Sequence, residues 1–221
     1  MTQKPLEEEQ IQLFFSDIVP LATSKVLVRL ENETLSIGER ILAQGLQLTI
    51  RGQEKIGIIG PNGVGKSTLL AKLHQLLSNK REISLGFMPQ DYQETLQLEL
   101  SPVEFLSQTG HKDEIQKIQS HLASLNFSYP EMHHQIHSLS GGQQGKLLLL
   151  NLVLRKPNFL LLDEPTRNFS PTSQPEIRKL FANFPGGLVT VSHDRRFLKE
   201  VCTTIYRLTE HGLEVVDLQD L

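Results

Sequence analysis

The feature that most constrains this chain is the nine-residue stretch Gly60 to Thr68, which reads GPNGVGKST. An apolar run, KIGII, leads into it, and Leu69, Leu70, Leu73, Leu76 and Leu77 recur after it at helical intervals. Strand, glycine loop and helix are the required context for a Gly-x-x-x-x-Gly-Lys-Ser phosphate loop. Gly60, Gly63 and Gly65 let the backbone curl around Pro61, Asn62 and Val64, so that successive N–H groups face phosphate oxygens. A helix beginning near Lys66 adds the positive end of its dipole, and Thr68 lies in its first turn. Lys66 is expected to meet the β- and γ-phosphates of a nucleotide, and Ser67 to ligate Mg²⁺. The bland alternative is a glycine turn that happens to precede a helix, and the flanking strand argues against it.

The rest of the chain agrees with an α/β core. Short apolar runs at Val26–Leu30, Leu46–Ile50, Lys55–Ile59, Ile83–Met88, Phe159–Asp163 and Leu188–Ser192 predict strands. Helical spacing covers Thr68–Leu77, a long segment after Leu139, Glu176–Phe184 and Arg195–Val201. Strands alternating with helices predict a mostly parallel sheet covered on both faces. Ile205–Leu208 and Leu213–Val216 predict a closing hairpin turned through His211 and Gly212. Residues 91–138 are rich in Gln, Glu, Ser and His, with apolar residues at helical intervals, and predict a helical insertion. The opening stretch to about Ser24, acidic at Glu7–Glu9 and bracketed by Pro5 and Pro20, reads as a linker or extension outside the core. The division expected is therefore 1–24 as extension and 25–221 as nucleotide-binding domain, with a helical subdomain over about 91–155.

Composition narrows the class without naming it. A chain of 221 residues, 38% hydrophobic and 21% charged, is an ordinary soluble globular sequence with room for one sizeable domain. Its formal charge of -3 gives no global basic field. The single cysteine, Cys202, excludes an internal disulfide and predicts a reducing, cytoplasmic setting. The strongest apolar run, Leu147 to Leu154, is interrupted by Asn151 and too short to span a bilayer, so no membrane insertion is expected.

Two further motifs carry chemistry. In FLLLDEP, residues 159–165, Asp163 emerges at the C-terminal end of a buried strand, where open α/β sheets gather ligands. There it would hold Mg²⁺, and Glu164 would polarise an attacking water. In LSGGQQ, residues 139–144, Ser140, Gly141, Gly142 and Gln143 open a helix and form a second anion site at its N-terminus. Alone, that pattern is also an ordinary helix cap. His133, His134 and His137 invite a metal reading, but they lack partners at ligand spacing apart from Glu131, and none is expected.

Phosphate loop, signature and Asp-Glu pair, in this order, resemble the nucleotide-binding domains of ABC ATPases over nearly the whole chain from about Val26. The resemblance implies an ABC-type phosphate-loop fold with an N-terminal antiparallel β portion, ATP and Mg²⁺ as ligands, and ATP hydrolysis. It also implies roles for two more residues. Gln90, in FMPQ, matches the Q-loop glutamine that senses Mg²⁺ and the γ-phosphate. His193, in TVSHD, matches the switch histidine that contacts the γ-phosphate and orients Glu164 and water. In the family the signature serves the nucleotide of a facing domain, so a second nucleotide-binding domain is an implied partner and is needed for full activity.

Three details resemble the ABC-F branch, whose members act on ribosomes. Gln90 stands only 24 positions after Lys66, VSHDRRFLKEVC resembles the branch's histidine region, and DEPTRNFSP resembles its DEPTNHLD pattern as found in C-terminal domains. KPLEEEQIQLFF resembles the end of an inter-domain linker, so the chain is expected to be the C-terminal half of a longer protein. Ribosomal RNA is then an implied partner, in translation control or antibiotic protection. A membrane transporter's ATPase subunit and an ATP-clamped binding module with little turnover are the alternatives. Two positions depart from the pattern: Ile37 stands where an adenine-stacking aromatic is expected, and Ser170 where the D-loop has aspartate. Phe14 or Phe15 could fold back to supply the missing ring.

Overall fold

A computed structural model describes residues 13–221. The acidic Glu7–Glu9 stretch and most of the linker-like segment lie outside the described residues. Among the described residues eight strands form: β1 (Val26–Ile37), β2 (Arg40–Arg51), β3 (Lys55–Ile59), β4 (Leu85–Met88), β5 (Phe159–Asp163), β6 (Gly187–Val191), β7 (Thr204–Thr209) and β8 (Gly212–Val216). β1 and β2 make a separate antiparallel hairpin. The other six form one sheet in the order β4-β5-β6-β3-β7-β8, with every neighbouring pair parallel except β7 and β8.

Alternation along β5 shows how the core is divided. Leu160 and Leu162 pack on one side of the sheet, while Phe159 and Leu161 pack on the other, as a period of two requires. The Phe159 and Leu161 side is covered by α1 (Lys66–Ser78), through Leu69, Leu70, Leu73 and Leu77, and by the β1–β2 hairpin. The opposite side is covered by α5 (Gly141–Arg155), α6 (Gln174–Ala182) and α7 (Arg195–Val201). Both faces being covered explains why every residue of β5 and β6 is buried. Leu147 to Leu150 are fully buried, so that run is core packing of α5.

The stretch between β4 and α5 is helical, as expected, in the short pieces α2 (Pro102–Leu106), α3 (Lys112–Ser124) and α4 (Tyr129–His133). The sequence states where α2, α4 and α5 begin. Ser101 with Glu104, Ser128 with Glu131, and Ser140 with Gln143 each form a capping box, in which side chain and backbone satisfy each other's end groups.

Three expectations need correction. The first two strands run further than Val26–Leu30 and Leu46–Ile50, because the pairing of β1 with β2 carries the polar residues Glu31, Glu33 and Thr34 as well. Irregular register there, with Asn32 at φ 55, hides the period from a sequence reading. The closing hairpin turns at Glu210 and His211, since Thr209 pairs with Gly212 as the first residue of β8. Gly212 is needed for close approach instead: a Cβ there would sit 3.0 Å from the Gly45 carbonyl oxygen of β2. Finally, the described part of the opening segment is docked on the domain. Leu13, Phe15 and Ile18 pack against the core, with the Phe15 ring edge-on to Phe184 at 4.8 Å. Among the described residues no helix is long and apolar enough to cross a membrane.

Candidate functional site

β3 ends at the loop, and the loop folds as its glycines allow. Gly60, Gly63 and Gly65 all have positive φ, and Gly65 also caps α1. A Cβ on Gly65 would lie 2.9 Å from Leu35 Cδ2, so the loop is pressed against the β1–β2 hairpin. Val64 packs on the same core. Lys66, only 8% exposed, donates from Nζ to the carbonyl oxygens of Gly60 and Pro61, each at 2.8 Å. Burial lowers its pKa, and the carboxylates of Glu164 and Asp163 oppose that shift.

The parallel order brings the ends of β4, β5 and β6 beside this loop. Asp163 closes β5 and is 7% exposed, and the Ser67 side chain hydrogen-bonds to its carboxylate. Its Oδ1 is buried with no hydrogen-bond partner among the described residues. Burial pushes the Asp163 carboxyl up, while Ser67, Lys66 and Arg167 pull it back. An orphaned carboxylate oxygen beside a serine hydroxyl and the Gln90 amide is a set of hard oxygen donors, which fits Mg²⁺.

Glu164 follows in a left-handed conformation, φ 52, held by its own N–H donating to the Val191 carbonyl at 2.8 Å. A non-glycine residue in that region is strained, and such strain persists where surroundings impose it. The turn aims the carboxylate at His193, beyond β6. The His193 backbone N–H donates to Glu164 Oε2 at 3.2 Å, and His193 Nε2 lies 3.4 Å from Oε1. Burial raises the Glu164 carboxyl above its ordinary value, with the His193 bond and charge opposing.

Asn62, Gly63, Gly65, Lys66, Ser67, Thr68, Gln90, Asp163, Glu164 and His193 all line one cavity of about 760 Å³. The signature residues are not part of it. Ser140 Oγ accepts from Gln143 N at 3.3 Å, and Ser140 N donates to Gln143 Oε1 at 3.0 Å, so within the chain the motif is indeed a helix cap. Gln143 Nε2 also donates to Glu131 Oε1 at 2.7 Å, which ties α5 to α4. A Cβ on Gly141 would meet nothing within 4 Å and one on Gly142 only the Asn168 carbonyl at 3.8 Å, so the helix start is open. Gly141 and Gln144 instead line a neighbouring cavity of about 800 Å³, which shares Ser67, Thr68, Gln90, Asp163 and Arg167 with the first.

At the two departures, Ile37 is 60% exposed at the end of β1 and lines the first cavity with Leu42. Neither Phe14 nor Phe15 reaches it: both line a small recess on α6, beside Glu176 and Leu180, which removes them as a substitute ring. Ser170 Oγ lies 2.9 Å from Thr172 Oγ1 and 3.0 Å from Ser173 Oγ, a local turn network just before α6. His133 Nδ1 meets the Tyr129 carbonyl at 2.8 Å and His137 Nε2 meets Gln135 Oε1 at 2.9 Å. Sequence reasoning missed Leu42, Thr166, Arg167 and Asp194 in the cavity wall. Arg167 and Asp194 had a signal, since each adjoins a motif; Leu42 had none, because only strand pairing brings it there.

The profile of the ABC transporter family matches residues 43–167. The chain belongs to that family, as an ABC-type ATPase domain, and among its relatives are ABC-F proteins. It is 30% identical over 210 residues to the probable ATP-binding protein YheS of Escherichia coli K12, covering 92% of this chain and 33% of that protein. It is 32% identical to the putative ATP-binding protein YdiF of Bacillus subtilis, covering 96% and 34%. With ABC transporter F family member 2 of Arabidopsis thaliana it shares 28% identity, covering 96% and 32%. The chain thus spans about a third of the length of these relatives. In fold it is similar to the dimeric ATP-binding cassette MJ0796 bound to ADP and Pi, with TM-score 0.68 at 20% identity over 86% of this chain and 98% of that one. A bacterial Atm1-family ABC exporter with ATP bound gives TM-score 0.72 at 17% identity, covering 94% and 42%.

Proposed function

We propose that this chain binds ATP with Mg²⁺ in the cavity at the phosphate loop and hydrolyses it together with a facing nucleotide-binding domain. The observation that carries this reading is the division of the motifs. Lys66, Ser67, Gln90, Asp163, Glu164 and His193 line one cavity, while Ser140 and Gly142 open elsewhere on the same chain. A site with an anion-binding loop and a carboxylate pair, but without its signature, is half of a composite site. The other half is the signature of a second domain.

In this mechanism the loop N–H groups and Lys66 bind the β- and γ-phosphates, and the signature helix of the facing domain meets the γ-phosphate from the other side. Ser67, Asp163 and Gln90 would hold Mg²⁺, which when bound would supply positive charge against the negative charge of the phosphates. Glu164 orients the attacking water and accepts its proton, and its raised carboxyl makes it a better base than an exposed glutamate. His193 holds Glu164 in place through its backbone N–H and side chain. By its likeness to ABC-F relatives, the chain acts as one half of a longer cytoplasmic protein that couples ATP-driven closure to ribosome binding, in translation control or antibiotic protection.

The test begins with Lys66→Ala, which removes the ammonium at the loop. ATP affinity is expected to fall at least about tenfold, or about 1.4 kcal/mol, by calorimetric titration with Mg²⁺. Unchanged affinity would show that the loop is not the nucleotide site. Co-sedimentation of the longer protein with ribosomes in ATP tests the coupling, and fractionation with membranes instead would overturn it.

A further inference from the structure

Between Glu164 and α6 the chain alternates buried and exposed residues, with Arg167 and Asn168 exposed between buried Thr166 and Phe169. Thr166 and Phe169 are buried, at 4% and 5% exposure, and the N–H of Phe169 donates to the Thr166 carbonyl at 3.3 Å. The Phe169 ring fills the space beside Gly145 of α5, where a Cβ would stand 2.8 Å from it. Arg167 lies between these anchors with its side chain exposed, and its N–H donates to the Glu164 carbonyl at 3.1 Å. Its place is therefore set by the same turn that aims Glu164.

Arg167 lines the cavity of Lys66, Asp163 and Glu164, and it also lines the neighbouring one with Ser67 and Gln90. The two cavities meet along a wall shared by Arg167 with Ser67, Thr68, Gln90 and Asp163. Its guanidinium makes no hydrogen bond or ion pair among the described residues. Its charge is felt at the Asp163 carboxylate, which it pulls down. A planar cation with unused donors, on a fixed turn beside an anion-binding loop, is suited to bidentate contact with phosphate oxygens.

We propose that Arg167 is a substrate-contacting residue, whose guanidinium binds the terminal phosphate of the nucleotide held by its own chain and so makes the site prefer a triphosphate to a diphosphate. This rests on the reading of the cavity as an ATP site. It adds a second protein cation to Lys66, on the side of the carboxylate pair. ADP, which lacks the terminal phosphate, gains little from it.

Titration of this chain, dilute enough to be monomeric, with a non-hydrolysable ATP analogue and with ADP, each with Mg²⁺, tests the assignment. Arg167→Ala is expected to weaken the analogue at least about tenfold and ADP by less than about threefold. Arg167→Lys, which keeps charge but loses the fork, is expected to recover part of the difference. The side chain is exposed, so both variants are expected to keep the parent's thermal unfolding. Equal losses for both nucleotides, or none, would overturn the proposal. A loss seen only at concentrations where the chain pairs would assign Arg167 to the facing chain's nucleotide and overturn it as well. Failure of the unaltered chain to bind either nucleotide would overturn the ATP-site reading itself.

Discussion

Ile37 shows what one residue at the rim decides. In the proposed ATP site it would offer the base an apolar face, with Leu42 lining the same cavity, but no π system and no hydrogen bond. An aromatic stack at such a place contributes roughly 1–3 kcal/mol, by analogy with bases bound in single strands. Without it, binding in the proposed site would rest on phosphate and Mg²⁺ contacts that ATP and GTP share. Discrimination between the two is therefore expected to stay below about tenfold, under about 1.4 kcal/mol, in competitive titration. Ile37→Tyr is expected to tighten both nucleotides. A strong preference for ATP in the unaltered chain would mean that some other group reads the base edge.

At the scale of an element, Glu114 in the first turn of α3 organises the connection from α2. Its carboxylate accepts from the backbone N–H groups of Gln108, Thr109 and Gly110 at 2.9, 2.9 and 3.1 Å, and from the hydroxyls of Ser107 and Thr109 at 2.8 and 2.7 Å. These bonds favour the ionised form and pull its pKa from 4.5 down to about 2. A depressed carboxyl contributes stability that is complete above the unfolded value and lost as pH falls through the folded one. The loop at 107–110 is thus expected to keep its order down to pH 4.5 and loosen between there and about 2. Amide exchange of Thr109 and Gly110, corrected for intrinsic rate, measures this, and Glu114→Gln is expected to remove the pH dependence. Protection that does not change across that window would contradict it.

For the whole molecule, the composite site proposed above would make turnover a property of a pair. The specific ATPase activity of this chain is expected to rise with its concentration. Glu164→Gln keeps the shape of the side chain but cannot accept a proton. It is expected to lower turnover by roughly 10²–10⁴-fold and let an ATP-bound pair accumulate in sedimentation. A brisk rate independent of concentration, from a proven monomer, would contradict the composite site.

Much of this was legible in the sequence, because local chemistry fixed it. GPNGVGKST needs positive φ at three glycines and a helix after them, and the chain provides both. The first four residues of FLLLD are apolar, as a strand covered on both faces requires, and the serine of each capping box marks where a helix starts. Other features depend on partners distant in the chain. The full length of β1 and β2 rests on pairing with one another through an irregular register, and Leu42 enters the cavity wall only through that pairing. Phe15 is drawn onto the domain by Phe181 and Phe184, rings that no local pattern connects to it. The place of Arg167 in the wall shared by the two cavities follows from the buried anchors on either side and the strained turn at Glu164. A motif specifies the backbone it needs within a few residues. Only the order of strands in the sheet, which sets Asp163 and Glu164 beside Lys66 and leaves Ser140 apart, decides which motifs share a cavity.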